Sequence, residues 1–167
     1  MRKIASLLIL FFGLLSMNSC EKDDICIAGD TPKLRIGFYD SNDTASAKEP
    51  TDLVIIGKDK TTTLSKMVPS DNSGYELLIP LNPSEDSSSY YLFKNASIVD
   101  GVLSGEVELL TISYDLKAVY LSKACGYIAN FEQLQIDREL DQNWIQNIRI
   151  ENSSITNENE VHVKIYH

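Results

Sequence analysis

Histidine, cysteine, tryptophan and clustered positive charge are all scarce in this chain. Its 167 residues include two histidines, three cysteines and one tryptophan, and the eight glycines are scattered. Nucleophilic catalysis needs a base within reach of the nucleophile. His162 falls on the polar positions of the last alternating segment, where an ordinary exposed side chain is expected, and His167, the last residue, is expected to fray. There is no G-x-S-x-G elbow and no glycine-rich phosphate loop, so a hydrolase serine and a nucleotide cofactor both lack a foothold. No catalytic residue, metal ligand set or cofactor is therefore expected. Acidic residues are plentiful, but a glycosidase pair is defined by separation in space, which sequence spacing does not test. Solvated surface acids are the plainer expectation. Asp40-Ser41-Asn42-Asp43-Thr44 begins like an oxygen-rich calcium loop, yet lacks the central glycine and distal Glu of an EF-hand.

Long hydrophobic runs are missing too, apart from residues 4–15, which follow the positive pair Arg2 and Lys3. That run is shorter than the roughly 20 apolar residues needed to cross a bilayer. A charged start, a short apolar stretch and then the polar Ser16-Met17-Asn18-Ser19 make the pattern of a secretory signal, expected over residues 1–19. Leu15-Ser16-Met17-Asn18-Ser19-Cys20 resembles the lipobox of bacterial lipoproteins, in which a small residue precedes the cysteine that receives the lipid. Cys20 is thus the expected acylation site. The competing readings are a membrane-spanning N-terminal helix and a signal peptide removed without lipidation. Two or three acyl chains hold a protein firmly, because each buried methylene contributes about 0.8 kcal/mol.

Cleavage after Ser19 would take Arg2 and Lys3 from the 15 basic residues, leaving 13 against 24 acidic ones and a net charge of −11. No Lys/Arg cluster survives. A body this anionic repels phosphate backbones, which argues against nucleic acid as a partner. Behind Cys20 stand Lys22, Asp23 and Asp24. A lysine followed by two acids at that place looks like the tag that sends some lipoproteins to the outer face of the outer membrane. The plain alternative is a charged tether over residues 20–31 that leaves the protein facing the periplasm.

Cys26 and Cys125 remain. In an oxidising compartment a structural disulfide is the default for such a pair. It would tie the start of the domain to a strand around Cys125. Two free thiols, or a redox or metal pair, are the alternatives, although no C-x-x-C is present.

Residues 32–167 read as one all-β domain, long enough for an ordinary core. Alternation places Leu34, Ile36 and Phe38 on one face, as it does Tyr75, Leu77, Ile79 and Leu81, and Val161, Val163 and Ile165. Tyr91 and Phe93 mark a shorter strand, and residues 53–56 a compact apolar one. Residues 103–114 are expected to turn at Asp115-Leu116 and pair with residues 117–123. Residues 126–135 and 145–151 follow as strands. Leu140, Trp144 and Ile148 are spaced as on a short helix. Polar loops are expected at 40–51 and 82–89. Eight or nine short strands describe an antiparallel β-sandwich with Ig-like or Greek-key topology, a partly open barrel being the alternative.

The segments 20–26, 122–127 and 159–166 together resemble an uncharacterised family of small bacterial lipoproteins, known only as a domain of unknown function. The resemblance implies a lipoprotein address and carries no activity or substrate. The expected role is a non-enzymatic interaction or accessory module, anchored in the membrane by its lipid, with an envelope protein or glycan as partner. The alternative is a carbohydrate-binding or glycan-processing surface protein, with Trp144 and exposed tyrosines such as Tyr90 or Tyr120 stacking on sugars, although a lone tryptophan is more often core. Asp43-Thr44-Ala45 resembles a short acceptor motif for O-glycosylation of exported bacterial proteins, which makes Thr44 a candidate modification site.

Overall fold

The computed structural model describes Cys26 and residues 29–60, 75–139 and 144–167. They form eight strands: β1 (Leu34–Tyr39), β2 (Val54–Gly57), β3 (Glu76–Ile79), β4 (Ser87–Val99), β5 (Val102–Ser122), β6 (Gly126–Glu139), β7 (Asn147–Ile150) and β8 (Val163–Tyr166). No helix occurs among the described residues. One sheet has the order β3-β1-β8-β7 and the other β2-β4-β5-β6.

Alternation explains both sheets. Leu34, Ile36 and Phe38 of β1 and Leu77 and Ile79 of β3 turn inward from the first sheet. Tyr90 and Leu92 of β4 and Leu110 and Ile112 of β5 do so from the second, and all belong to one core. Each such side chain contributes about 1.5–3 kcal/mol by leaving water. On β4 the inward set is Tyr90 and Leu92, while Tyr91 and Phe93 are only part-buried. The strand is also much longer than those two aromatics suggest, and it begins inside the loop expected at 82–89.

The wholly antiparallel expectation needs one correction. β1 and β8 run parallel, from Ile36 opposite Val163 to Tyr39 opposite Tyr166. The first and last strands are thus neighbours, and β8 lies inside its sheet between β1 and β7.

A second correction concerns β5. It passes unbroken through Asp115 and Leu116, which pair with Glu132 and Phe131 of β6. Polar Asp115 acts as an outward strand position rather than a breaker. A register shift between Ser113 and Asp115, with Gln133 opposite at φ 55, absorbs the change of direction as a β-bulge. The real turns lie at the two ends of the strand. Asp100 (φ 51) and Gly101 (φ 79) connect β4 to β5 between the paired Val99 and Val102, the left-handed pair that a two-residue hairpin favours. Lys123, Ala124 and Cys125 connect β5 to β6, closed by the pair Ser122 and Gly126, with Gly126 at φ 68.

The helical spacing at 140–148 is not realised where it can be seen. Asp137 belongs to β6, and Trp144 and Ile145 are buried coil leading into β7. Leu140 lies outside the described residues.

Candidate functional site

β5 reaches past the core at both ends, paired there with β4 at one end and with β6 at the other. The buried positions of β5 are confined to residues between Glu108 and Tyr114, which leaves its two ends largely exposed. At the end closed by residues 123–125, Cys125 is bonded to Cys26, with the Cα atoms 4.9 Å apart. Cys125 therefore sits in a hairpin turn, not in a strand as expected. Its amide donates to Ser122 Oγ at 3.0 Å, which braces the turn. The incoming segment is held here as well, since the Ala129 amide of the hairpin donates to Thr31 Oγ1 at 3.2 Å and the Lys33 amide donates to Glu158 Oε1, in the connection between β7 and β8, at 2.9 Å. Between that segment and the hairpin lies an open pocket of about 470 Å³, lined in part by Asp30, Lys33, Leu121, Ile128 and Glu158.

Next to the disulfide turn, Tyr120 and Tyr127 are cross-strand partners with ring centroids 5.2 Å apart in an edge-to-face arrangement. They are 57% and 71% exposed. At the other end of β5, Ile98, Val99 and Val102 are also exposed. Asn95 (φ 52) and a register shift between Lys94 and Ser97 bend the strand there. A Cβ on Gly105 would lie 2.8 Å from the Lys94 carbonyl oxygen, so the bend requires glycine at that point.

Thr44 is exposed at the crest of a turn in the 40–51 loop. Asp43 organises that turn, accepting from the Ser46 amide through its carbonyl at 2.9 Å and from Ser46 Oγ through its carboxylate at 2.5 Å. Cys20, Lys22, Asp23 and Asp24 lie outside the described residues.

Both histidines depart from expectation. His162 is fully buried, and its Nδ1 accepts the Arg35 amide at 3.0 Å while its own amide donates to the Arg35 carbonyl at 2.9 Å. The side chain thereby serves a backbone donor at the place where the parallel β1–β8 ladder begins. His167 is buried rather than frayed. Its amide donates to the Tyr39 carbonyl at 3.0 Å, its carbonyl accepts from Lys48 Nζ at 2.9 Å, and its Nε2 lies 3.0 Å from the Lys48 carbonyl. Burial lowers the pKa of each imidazole, so both are held neutral.

Trp144 is core, packed edge-on to His167 at 5.9 Å with the Lys94 ammonium 5.8 Å above its ring. Tyr90 is buried rather than exposed, and its hydroxyl donates to the Pro80 carbonyl. Burial pushes its pKa up to about 12. Tyr90 lines an open pocket of about 560 Å³ together with Lys58, Lys60, Glu85, Ser87 and Ser89. Two hydroxyls of the pocket wall are already engaged, Ser88 with Tyr114 at 2.7 Å and Ser89 with Thr111 at 2.9 Å. Neither histidine is among its lining residues. Among the described residues, no three His, Cys, Asp or Glu side chains converge as a metal site would require. One buried charge that sequence alone did not single out is Glu108, at full burial on β5 with Arg138 Nε 3.9 Å away.

A family model described as a family of unknown function (DUF6452) matches residues 44–167. The chain belongs to that family. The DUF6452 range takes in β2 to β8, with Cys125, Tyr120, Tyr127 and both histidines, whereas β1 and Cys26 lie ahead of it. No curated protein and no solved structure matches the chain.

Proposed function

We propose that this chain is an exported lipoprotein, acylated at Cys20, whose β-sandwich body serves as a non-enzymatic interaction or accessory module of the cell envelope. The reading is carried by the leader pattern ending in Ser19-Cys20. The Cys26–Cys125 bond supports it, since stable disulfides belong to oxidising compartments. Lys22, Asp23 and Asp24 favour display on the outer face of the outer membrane, the periplasmic face being the alternative. Exposed Thr44 at the crest of its turn is a candidate O-glycosylation site, and intact mass of protein from its native host tests it. A mass of polypeptide plus lipid alone rules that modification out.

The carbohydrate-binding reading loses two of its three aromatic candidates, because Trp144 and Tyr90 are buried. The envelope-module reading is therefore preferred.

Palmitate labelling of wild type and Cys20→Ala tests the anchor, and protease accessibility on intact cells tests the face. Label in wild type that disappears in Cys20→Ala is the expected result. An unlabelled wild-type chain overturns the proposal.

A further inference from the structure

The two ends of the long hairpins differ in chemistry, and only one of them is tied to the expected anchor. Residues 116–131, which form the β5–β6 end, include Lys123 and Lys117, the latter paired with Glu132 at 2.7 Å, and no acidic residue of their own, while Asp30 and Glu158 line the pocket beside Leu121 and Ile128. This same end carries the exposed Tyr120–Tyr127 pair and the bond from Cys125 to Cys26. Cys26 is six residues beyond Cys20. At no more than 3.3–3.6 Å per residue, the chain limits the distance from that cysteine to the disulfide to about 20 Å. The opposite end, at Ile98, pairs with Leu103 and so lies at most about 65 Å from Ser122 along β5 at the usual rise per strand residue.

We propose that the closed end of the β5–β6 hairpin rests on the bilayer that holds the protein's own lipid, with Tyr120 and Tyr127 at headgroup depth. The inference rests on acylation of Cys20. Tyrosine suits this depth because its ring is apolar and its hydroxyl remains in water. Lys123 keeps its charge at the headgroups while its stem covers apolar surface. Glu21, Asp23 and Asp24 of the tether oppose attraction to anionic lipid, so the rings rather than the lysines set the contact. A body held at two points, by its lipid and by the hairpin end, stands upright and presents the Ile98–Val102 end away from the surface.

The test uses the full lipidated chain in vesicles of phosphatidylethanolamine and phosphatidylglycerol, with some acyl chains brominated just below the headgroups. Two variants each carry one new indole, Tyr120→Trp at the near end and Ile98→Trp at the far end. Both positions are exposed, and buried Trp144 contributes the same background to each. Intact mass first reports whether Cys20 bears lipid. The expected result is acylated protein in which the Tyr120→Trp emission shifts to shorter wavelength and is largely lost to bromine, while Ile98→Trp emission is unchanged. Acylated protein with neither indole quenched, or with Ile98→Trp quenched instead, overturns the hairpin contact and leaves the anchor standing. Protein without lipid on Cys20 overturns both.

Discussion

His162 and His167 show how a polar residue becomes part of a core. Each supplies hydrogen bonds at a point where strand pairing starts or stops, and each is held neutral by burial. The folded-state pKa lies below the ordinary 6.5 in both cases. The unfolded chain then binds more protons than the folded one as pH falls through that region. Stability is accordingly full above about 6.5 and declines below it, ahead of the range in which carboxylates titrate. The urea midpoint is expected to hold steady above neutrality and to fall between roughly pH 6.5 and 5. His162→Gln, which keeps an acceptor for the Arg35 amide and cannot ionise, should show a shallower fall. A midpoint that is flat over this interval in the wild type would contradict the assignment. Period-two patterning could not foresee the burial of His162, because it assigns faces as if one side of every strand met water. β8 is an interior strand flanked by β1 and β7, and that follows from a parallel pairing between the two ends of the chain which no local turn specifies.

At the scale of elements, alternation made β1 and β3 legible nearly to the residue and a compact apolar run marked β2, whereas β8 starts later than its alternating segment and buries Tyr166 as well as Val163 and Ile165. The long strands were less legible. Asp115 resembles a turn residue, and taking it as one cuts β5 in two and hides the facing of Tyr120 and Tyr127. Asp100-Gly101 was the better signal, a dipeptide that accepts left-handed backbone at both positions. Gly101 at φ 79 has open space around it, so a side chain there is opposed by backbone conformation and not by packing. Gly101→Val should cost about 1–2 kcal/mol at the turn. This end of the hairpin lies beyond the core, so the loss should stay local. Hydrogen exchange is expected to quicken over residues 97–104 while the melting temperature changes little. A large drop in melting temperature would mean that the tip is coupled to the body.

On the scale of the whole molecule, the Cys26–Cys125 bond links residues 99 apart in sequence and fastens the entering chain to a hairpin turn outside the core. The pair was legible because export leaves few other uses for two lone cysteines; its place in the turn was not, because that turn was sought near Asp115. Two consequences of the bond can be separated. In the folded state it directs the entering chain to the β5–β6 end, where the Thr31–Ala129 and Lys33–Glu158 contacts already hold the following residues. The core itself draws no residue from the bond. In the unfolded state it closes a loop of about 100 residues, which the chain-entropy model values near 4.7 kcal/mol, with measured gains often smaller. The double variant Cys26→Ala, Cys125→Ala should therefore fold to the same sheets and unfold at a lower urea concentration. The loss should not exceed about 4.7 kcal/mol if the bond acts through the unfolded chain. The slope of unfolding against urea should rise, because an uncrosslinked chain exposes more surface on unfolding. An unchanged slope with a lower midpoint would place the effect in the folded hairpin instead. An unchanged midpoint would show that the two amide-to-side-chain contacts suffice to hold the entry segment and that the bond serves only to aim the tether.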